Sequence, residues 1–237
     1  MIVWRIKAFK SVPSTQDIVS LAAKQGEREG FVVIAKEQTA GRGRHGRIWE
    51  GGTGNLTASF LIKPNCGPDG LGQISLLIGL SITQTFAPMG ISSLLKWPND
   101  ILIGGKKVCG ILIEAEDGNL IIGLGLNIKS APLSNTTYLA EHSPNAPDSE
   151  EILQRILNQF AMNYKKWIKD GFHAIREEWM QASFELDTPI HIKAPLQTLS
   201  GAYAGIDDLG NLKLRLDDGT MKIITAGEVF LPFEQKE

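Results

Sequence analysis

The stretch Gln38-Thr39-Ala40-Gly41-Arg42-Gly43-Arg44-His45-Gly46-Arg47-Ile48-Trp49 is where competing fold classes separate. Its glycines meet the spacing G-x-G-x-x-G of a dinucleotide-binding turn, and the apolar run Phe31 to Ala35 supplies a buried strand before it. A helix must follow that turn, and none can form here. Trp49, Gly51, Gly52 and Gly54 come next, and closely spaced glycines destroy a helix. The acidic residue that would bind a ribose hydroxyl about twenty positions on is also missing. The doubly wound reading fails.

What remains is a glycine loop that carries Arg42, Arg44 and Arg47. Glycines let backbone amides approach an anion closely, and guanidinium forks bind phosphate or carboxylate through paired hydrogen bonds. The chain as a whole is slightly acidic, with Lys+Arg 24 against Asp+Glu 26 and a net charge of -2. A basic cluster in that background reads as local anion handling, with surface ion pairing as the plain alternative. The overall charge argues against a nucleic-acid partner.

The 237 residues, 43% of them hydrophobic, suit one ordinary domain plus a small appendage. Cys66 and Cys109 are too few for a disulfide framework, and the four histidines show no metal-ligand spacing. The N-terminus lacks a signal-peptide layout, and the longest apolar stretch, Ile74 to Ile82, is short of the roughly 20 residues that span a bilayer. These features lead to the expectation of a cytoplasmic protein without a membrane partner.

Periodicity assigns the elements. Ser14 is expected to cap a helix through Ile18 and Leu21 that stops near Gly26. Asn55 to Ile62 alternates as a half-buried strand, and Gln73 to Ala87 reads as an apolar helix. Leu94 to Trp97, Ile101 to Ile103, Val108 to Glu114 and Leu120 to Leu126 form a hairpin meander through tight Gly-Gly and Asp-Gly links. Asp148 then caps an amphipathic helix whose apolar face is Leu153, Ile156, Leu157, Phe160, Tyr164, Trp167 and Ile168. After Gly171 a short helix reaches about Trp179. Four short, evenly spaced strands between Ile190 and Thr225 suggest a small barrel. The fold class is therefore α+β, a mixed sheet with flanking helices over residues 1–185, followed by a small β-barrel over residues 186–237.

Other segments leave alternatives open. In Lys96-Trp97-Pro98-Asn99-Asp100, Pro98 forces a corner. Asn99 and Asp100 either satisfy that turn or meet phosphates and a hydrated metal ion. Lys106 and Lys107 sit at a hairpin tip, where lysines are usually just solvated. Cys109 lies in an apolar strand as an inert thiol. Gly123 and Gly125 precede Asn127, and glycines within a strand mark close approach of a ligand or a second backbone.

Taken in order, Ser14-Thr15-Gln16, the Gln38–Trp49 stretch, Lys96–Asp100, Lys107–Glu114 and Gly123–Asn127 resemble the biotin protein ligases. The resemblance covers about residues 10 to 130, and the family usually shows Ser-Thr-Asn where this chain has Gln16. It implies a catalytic domain like that of lipoate ligases and class II synthetases, with an SH3-like barrel after it. It implies the enzyme-only form, without a DNA-binding helix-turn-helix.

The implied reaction joins biotin to the α-phosphate of ATP, releases pyrophosphate, and passes biotin to a lysine of the biotin carboxyl carrier protein of acetyl-CoA carboxylase. Lys107, Arg42 and Arg44 would be catalytic. Ser14, Thr15, Gln16, Gln38, Gly41, Gly43 and Gly110 would join them around biotin. His45, Arg47, Trp49, Lys96, Asn99 and Asn127 would hold ATP together with Arg44. Mg²⁺ would arrive with ATP, with Asp100 its one candidate protein ligand and no dedicated metal site. A monomer or weak homodimer is expected. The rival readings are a lipoate or octanoate ligase, a nucleic-acid-binding module and a non-catalytic biotin sensor.

Overall fold

The structure is a computed structural model that describes residues 2–195 and 197–231. The last six residues of the expected C-terminal unit, 232–237, lie outside the described residues.

The chain opens with strand β1 (Arg5–Val12), which periodicity did not reveal because nearly all its side chains are exposed. It pairs in parallel with β2 (Phe31–Gln38), Ala8 opposite Ile34. Parallel neighbours need a crossover, and helix α1 (Thr15–Lys24) supplies it. Ser14 stands at the N-cap in extended backbone, yet its side chain makes no capping hydrogen bond. Its hydroxyl instead accepts from Arg42 Nη1 at 3.3 Å, so the expected cap is corrected to a contact with the glycine loop.

Strand β3 (Leu56–Ile62) runs antiparallel to β2, and α2 (Pro68–Phe86) follows with proline in its first turn, where the missing N–H is harmless. The expected meander is present as β4 (Leu94–Lys96), β5 (Asp100–Ile103), β6 (Lys106–Glu116) and β7 (Asn119–Leu126). The sheet order is β1-β2-β3-β7-β6-β5-β4, and every pair after β1–β2 is antiparallel. A one-turn helix α3 (Leu139–His142) leads to α4 (Ser149–Asp170), then α5 (His173–Gln181). Asp148 caps α4 as its sequence implies, accepting from the backbone N–H groups of Glu150 and Glu151. Ile168 departs from the expected apolar face of α4 and is exposed.

Helices α2 and α4 bury one face of the sheet. Phe160 of α4 lies 5.4 Å from both Phe60 and Tyr164, ring centre to ring centre, and is fully buried. Gly70–Met89 is long and apolar enough to cross a membrane by length and composition, but 72% of it is buried inside the protein. It is the central core helix.

The opposite face explains a second difference from expectation. β3 alternates as read, yet it is buried along its whole length. Leu56, Ala58, Phe60 and Ile62 face α2 and α4, while Leu61 joins Val19, Ala23, Val33 and Ile121 beneath α1. Thr57 and Ser59, the polar positions of the alternation, are buried on that same side. α1 and the glycine loop cover what the alternation alone assigned to solvent.

Five further strands form a second, antiparallel sheet: β8 (Pro189–Lys193), β9 (Thr198–Ile206), β10 (Leu212–Arg215), β11 (Met221–Ile224) and β12 (Glu228–Phe230). Its order is β11-β10-β9-β8-β12. Among the described residues β11 and β12 do not pair, so the sheet is open rather than a closed barrel. Trp97 Nε1 donates to Gly210 O at 3.0 Å and ties this sheet to the β4–β5 turn.

Candidate active site

Strand register builds the floor of the site. Thr57 lies opposite Gly125, Gly125 opposite Gly110, and Gly110 opposite Asp100, one row across four strands. The next row sets Ser59 beside Gly123 and Gly123 beside Leu112. Small residues in both rows leave a trough on the face that α1 covers only in part. A side chain on Gly125 would stand 2.2 Å from Trp49 Cε2, and one on Gly123 would stand 2.8 Å from Gln16 Oε1. Close approach of the Trp49 ring requires glycine at Gly125, whereas at Gly123 the end of the Gln16 side chain would have to shift.

The resulting cavity of about 340 Å³ is walled by the start of α1, the glycine loop, the β4–β5 turn and β12. Ser14, Thr15, Gln16, Gln38, Arg42, Gly43, Arg44, Arg47, Trp49, Lys96, Asn99, Asp100, Lys107, Gly110 and Asn127 all line it. Gly41 and His45 do not. Gly41 is packed against Gln38 and the Trp49 carbonyl, and His45 sits at φ 57° on the outer bend of the loop.

The loop is a small hairpin. Arg42 bridges to Ile48, Gly43 N donates to Arg47 O at 2.8 Å, and Trp49 N donates to Gly41 O at 3.0 Å. Arg42 grips both oxygens of Glu114 at 3.0 and 2.9 Å and Asp17 Oδ1 at 2.6 Å. The Glu114 hydrogen bond, against burial and with Asp17, raises its already high pKa. Its charge is therefore matched twice over, and here it anchors the loop to α1 and β6. Arg44 differs: its guanidinium hydrogen-bonds to neutral oxygens, Asn99 Oδ1 at 3.0 Å and Gly227 O at 3.5 Å. That leaves its charge available to an arriving anion. Arg47 pairs with Glu228 Oε2 at 2.8 Å. Burial would raise the Glu228 carboxyl, but the Arg47 hydrogen bond and charge, with His45 and Arg44, hold it below the usual range.

Lys107 Nζ lies 2.6 Å from Asp100 Oδ1 and 6.0 Å from the Trp49 ring. Its backbone is pinned by Thr137 N and by pairing with Thr136. Asn99 Nδ2 donates to Ile111 O of β6 at 2.7 Å, a backbone group outside its own turn, while its Oδ1 receives Arg44. Asn127 is 2% exposed; its Nδ2 donates to Thr137 O, and its Oδ1 is buried with no hydrogen-bond donor among the described residues. Lys96 Nζ stands over the Phe230 ring at 5.5 Å. Burial, with Asp100 adding to it and Lys107 opposing it, pushes the Cys109 thiol up to about 12. At neutral pH it is a core residue, as expected.

Sequence reasoning did not single out Ser59, Glu228 or Phe230 as cavity residues. Ser59 was visible as a polar position in an alternating strand. Glu228 and Phe230 carry no local signal, because only the docking of the second sheet brings them here.

Known proteins resemble the chain throughout. Residues 8–127 match the Biotin/lipoate A/B protein ligase family, and residues 186–231 match the Biotin protein ligase C terminal domain. The Bifunctional ligase/repressor BirA of Bacillus spizizenii is 34% identical over 91% of this chain and 70% of its own length. The Biotin--[acetyl-CoA-carboxylase] ligase of Paracoccus denitrificans is 32% identical over 84% of this chain and 89% of its own. The biotin protein ligase from Aquifex aeolicus in complex with biotin and ATP superposes with a TM-score of 0.85 at 29% identity, covering 95% of this chain and 97% of that one. The chain belongs to the Biotin/lipoate A/B protein ligase family. It is a ligase of the biotin-handling kind.

Proposed function

We infer that this chain activates biotin with ATP as biotinyl-AMP and transfers it to a lysine of a carrier domain of acetyl-CoA carboxylase. The observation that carries the reading is the cavity itself: a glycine-floored trough with Lys107 and Arg44 at one place and a buried polar end at Thr15, Gln16, Ser59 and Gln38. The ligases of Paracoccus denitrificans and Aquifex aeolicus, similar in sequence and fold, support biotin and ATP as the substrates over a lipoate ligand.

In the first step a biotin carboxylate oxygen attacks the α-phosphorus of ATP, and the bond to pyrophosphate breaks. Two anions must approach, so catalysis rests on fixed positive charge where negative charge concentrates. We assign Lys107 to the oxygens shared by carboxylate and α-phosphate, and Arg44 to the phosphate oxygens. Arg42 holds the loop in place until ligand competes for it. Asn127 Oδ1, a buried acceptor with no donor among the described residues, suits the exocyclic amine of adenine. Arg47, Trp49, Lys96 and Asn99 form the rest of the nucleotide side. In the second step the carrier amine attacks the acyl carbon, the acyl C–O bond breaks, AMP leaves and the amine releases a proton. Neither step needs a covalent enzyme intermediate.

No cluster of three metal-ligating side chains exists among the described residues, and Asp100 is already paired with Lys107. The donor set fits Mg²⁺ carried by the triphosphate and touched at most by Asp100. Bound there, the ion would screen phosphate charge. We further propose a domain boundary near residue 185, an SH3-like small barrel for the C-terminal sheet, a monomer or weak homodimer, and a cytoplasmic location. The match over residues 186–231 supports the boundary.

Incubation with biotin, ATP, Mg²⁺ and a carrier domain tests the reading. One biotin mass added to the carrier is expected, with none when lipoate replaces biotin; the reverse preference would refute it.

A further inference from the structure

The β3–β7 ladder ends at the pair Leu56–Leu126, and the side chain of the neighbouring Asn55 takes over from it. Asn55 Oδ1 accepts the backbone N–H groups of Ile128 at 2.8 Å, Lys129 at 2.9 Å and Ser130 at 3.3 Å, while its Nδ2 donates to Ser130 O at 2.9 Å. Three N–H groups converging on one atom require that atom to be the oxygen, so the amide has a single orientation. Asn55 is 3% exposed, and its own N–H donates to Gly52 O at 3.1 Å. It therefore fastens residues 51–54 to a segment that begins 73 residues further along the chain. The junction is tight: a Cβ on Gly52 would stand 2.4 Å from Ser130 Oγ, and one on Gly54 would stand 2.8 Å from Lys129 Cγ.

Both segments border the same part of the cavity. Residues 51–54 follow Trp49, and residues 128–130 follow Asn127 and lead into the lining residues Pro132, Leu133, Asn135 and Thr136. The far end of that second segment is tied to β6, where Lys107 N donates to Asn135 O at 3.2 Å and Thr137 N donates to Lys107 O at 2.9 Å. Asn55 supplies the tie at the near end. It is not one of the described residues that line the cavity, so it acts through the two segments it joins.

We propose that Asn55 is a positioning residue for the nucleotide. It holds the wall at Trp49 and the wall at Asn127 at a fixed separation, and so sets the affinity for ATP rather than the affinity for biotin or the rate of the chemical step. The inference rests on the reading of this cavity as a biotin and ATP site. What matters at position 55 is the acceptor. Successive backbone N–H groups that converge on one point bind negative charge well, so a carboxylate can stand in for the amide oxygen. An apolar side chain of the same shape instead leaves the donors without their partner.

Biotin-dependent pyrophosphate exchange, with ATP and biotin titrated separately, tests it. Asn55→Leu is expected to raise the KM for ATP about tenfold or more, with the KM for biotin and kcat within about threefold of wild type. Asn55→Ser leaves room for water to meet the N–H groups, which protects the fold, and should raise the KM for ATP in the same sense. Asn55→Asp keeps the acceptor, loses only the donation to Ser130 O, and should stay within about threefold of wild type on every parameter. If Asn55→Leu does not fold, the contrast between Asn55→Ser and Asn55→Asp decides alone. A merely structural role would lower the melting temperature and the active fraction at unchanged KM, and that outcome overturns the proposal. So do equal increases in both KM values, or an Asn55→Asp protein as impaired as Asn55→Ser. Wild-type protein without biotin-dependent exchange refutes instead the function on which the inference rests.

Discussion

Lys107 Nζ and Asp100 Oδ1 are 2.6 Å apart across adjacent strands, held where the β5–β6 hairpin folds Lys107 back over Gly110. The pair keeps a flexible ammonium at one point of the cavity before any ligand arrives. Lys107→Ala should stay folded, because the side chain is partly exposed and supports no core packing. Loss of a charge that acts in the transition state costs on the order of 10²–10³ in kcat. Biotin-dependent pyrophosphate exchange measures it, and exchange within threefold of wild type would remove Lys107 from the chemistry.

Arg42 clamps the glycine loop to Glu114 and Asp17, while Arg44 has neutral partners. The loop should therefore change its exposure when anions enter. Limited trypsin digestion is expected to cut within Arg42–Arg47 in free protein and to be slowed at least fivefold by biotin plus ATP. Equal cutting rates would mean that the loop does not close over the ligands.

Gly125 is packed against the Trp49 indole, with room for no further atom. Gly125→Ala should push the indole aside and raise the KM for ATP about tenfold or more, with a smaller effect on biotin. Separate titrations of the two substrates decide it, and an unchanged ATP KM would place Trp49 outside the nucleotide site.

The Arg47–Glu228 pair joins the loop to the C-terminal sheet. The Glu228 carboxyl is held below its ordinary value of 4.5, so the ionised form favours the folded state. That contribution is present above about pH 4.5 and disappears as pH falls through the lowered folded value. Arg47 is 65% exposed, which limits the pair to about 0.5 kcal/mol. Urea midpoints of wild type and Glu228→Gln should differ slightly at pH 7 and converge as the solution is acidified. A gap that widens toward acid would reverse the assignment.

Phe160 stacks among Trp4, Phe60 and Tyr164 with no exposure. Phe160→Ala should cost about 3–5 kcal/mol of stability. Denaturant unfolding reads this directly; a loss below about 1 kcal/mol would mean that the core collapses to fill the space.

Much of the architecture was legible in order along the chain. The meander, the Asp148 cap and the helix around Phe160 follow from periodicity and turn chemistry, which act within a few residues. β1 was not legible, because an edge strand exposed on both faces has no alternation to read. The Ser14 cap failed for a different reason: Arg42, 28 residues on, competes for the same hydroxyl. In the site, the arginines and the paired glycines stood out by composition, and Lys107 only through the family resemblance. Ser59 and Glu228 did not, since a buried serine and a surface glutamate look ordinary until their neighbours are known.

By itself, then, the sequence determined most of the elements after β1, the anion-handling residue types and the family. Those depend on local periodicity and on motifs whose members are close in the chain. Only the tertiary structure decided that Arg42 is already neutralised, that Arg44 is available, and that Thr15, Gln16, Gln38 and Ser59 meet in one hydrogen-bonded chain. Charge balance and hydrogen bonding are properties of groups in contact, and strand register sets those contacts across tens of residues of chain.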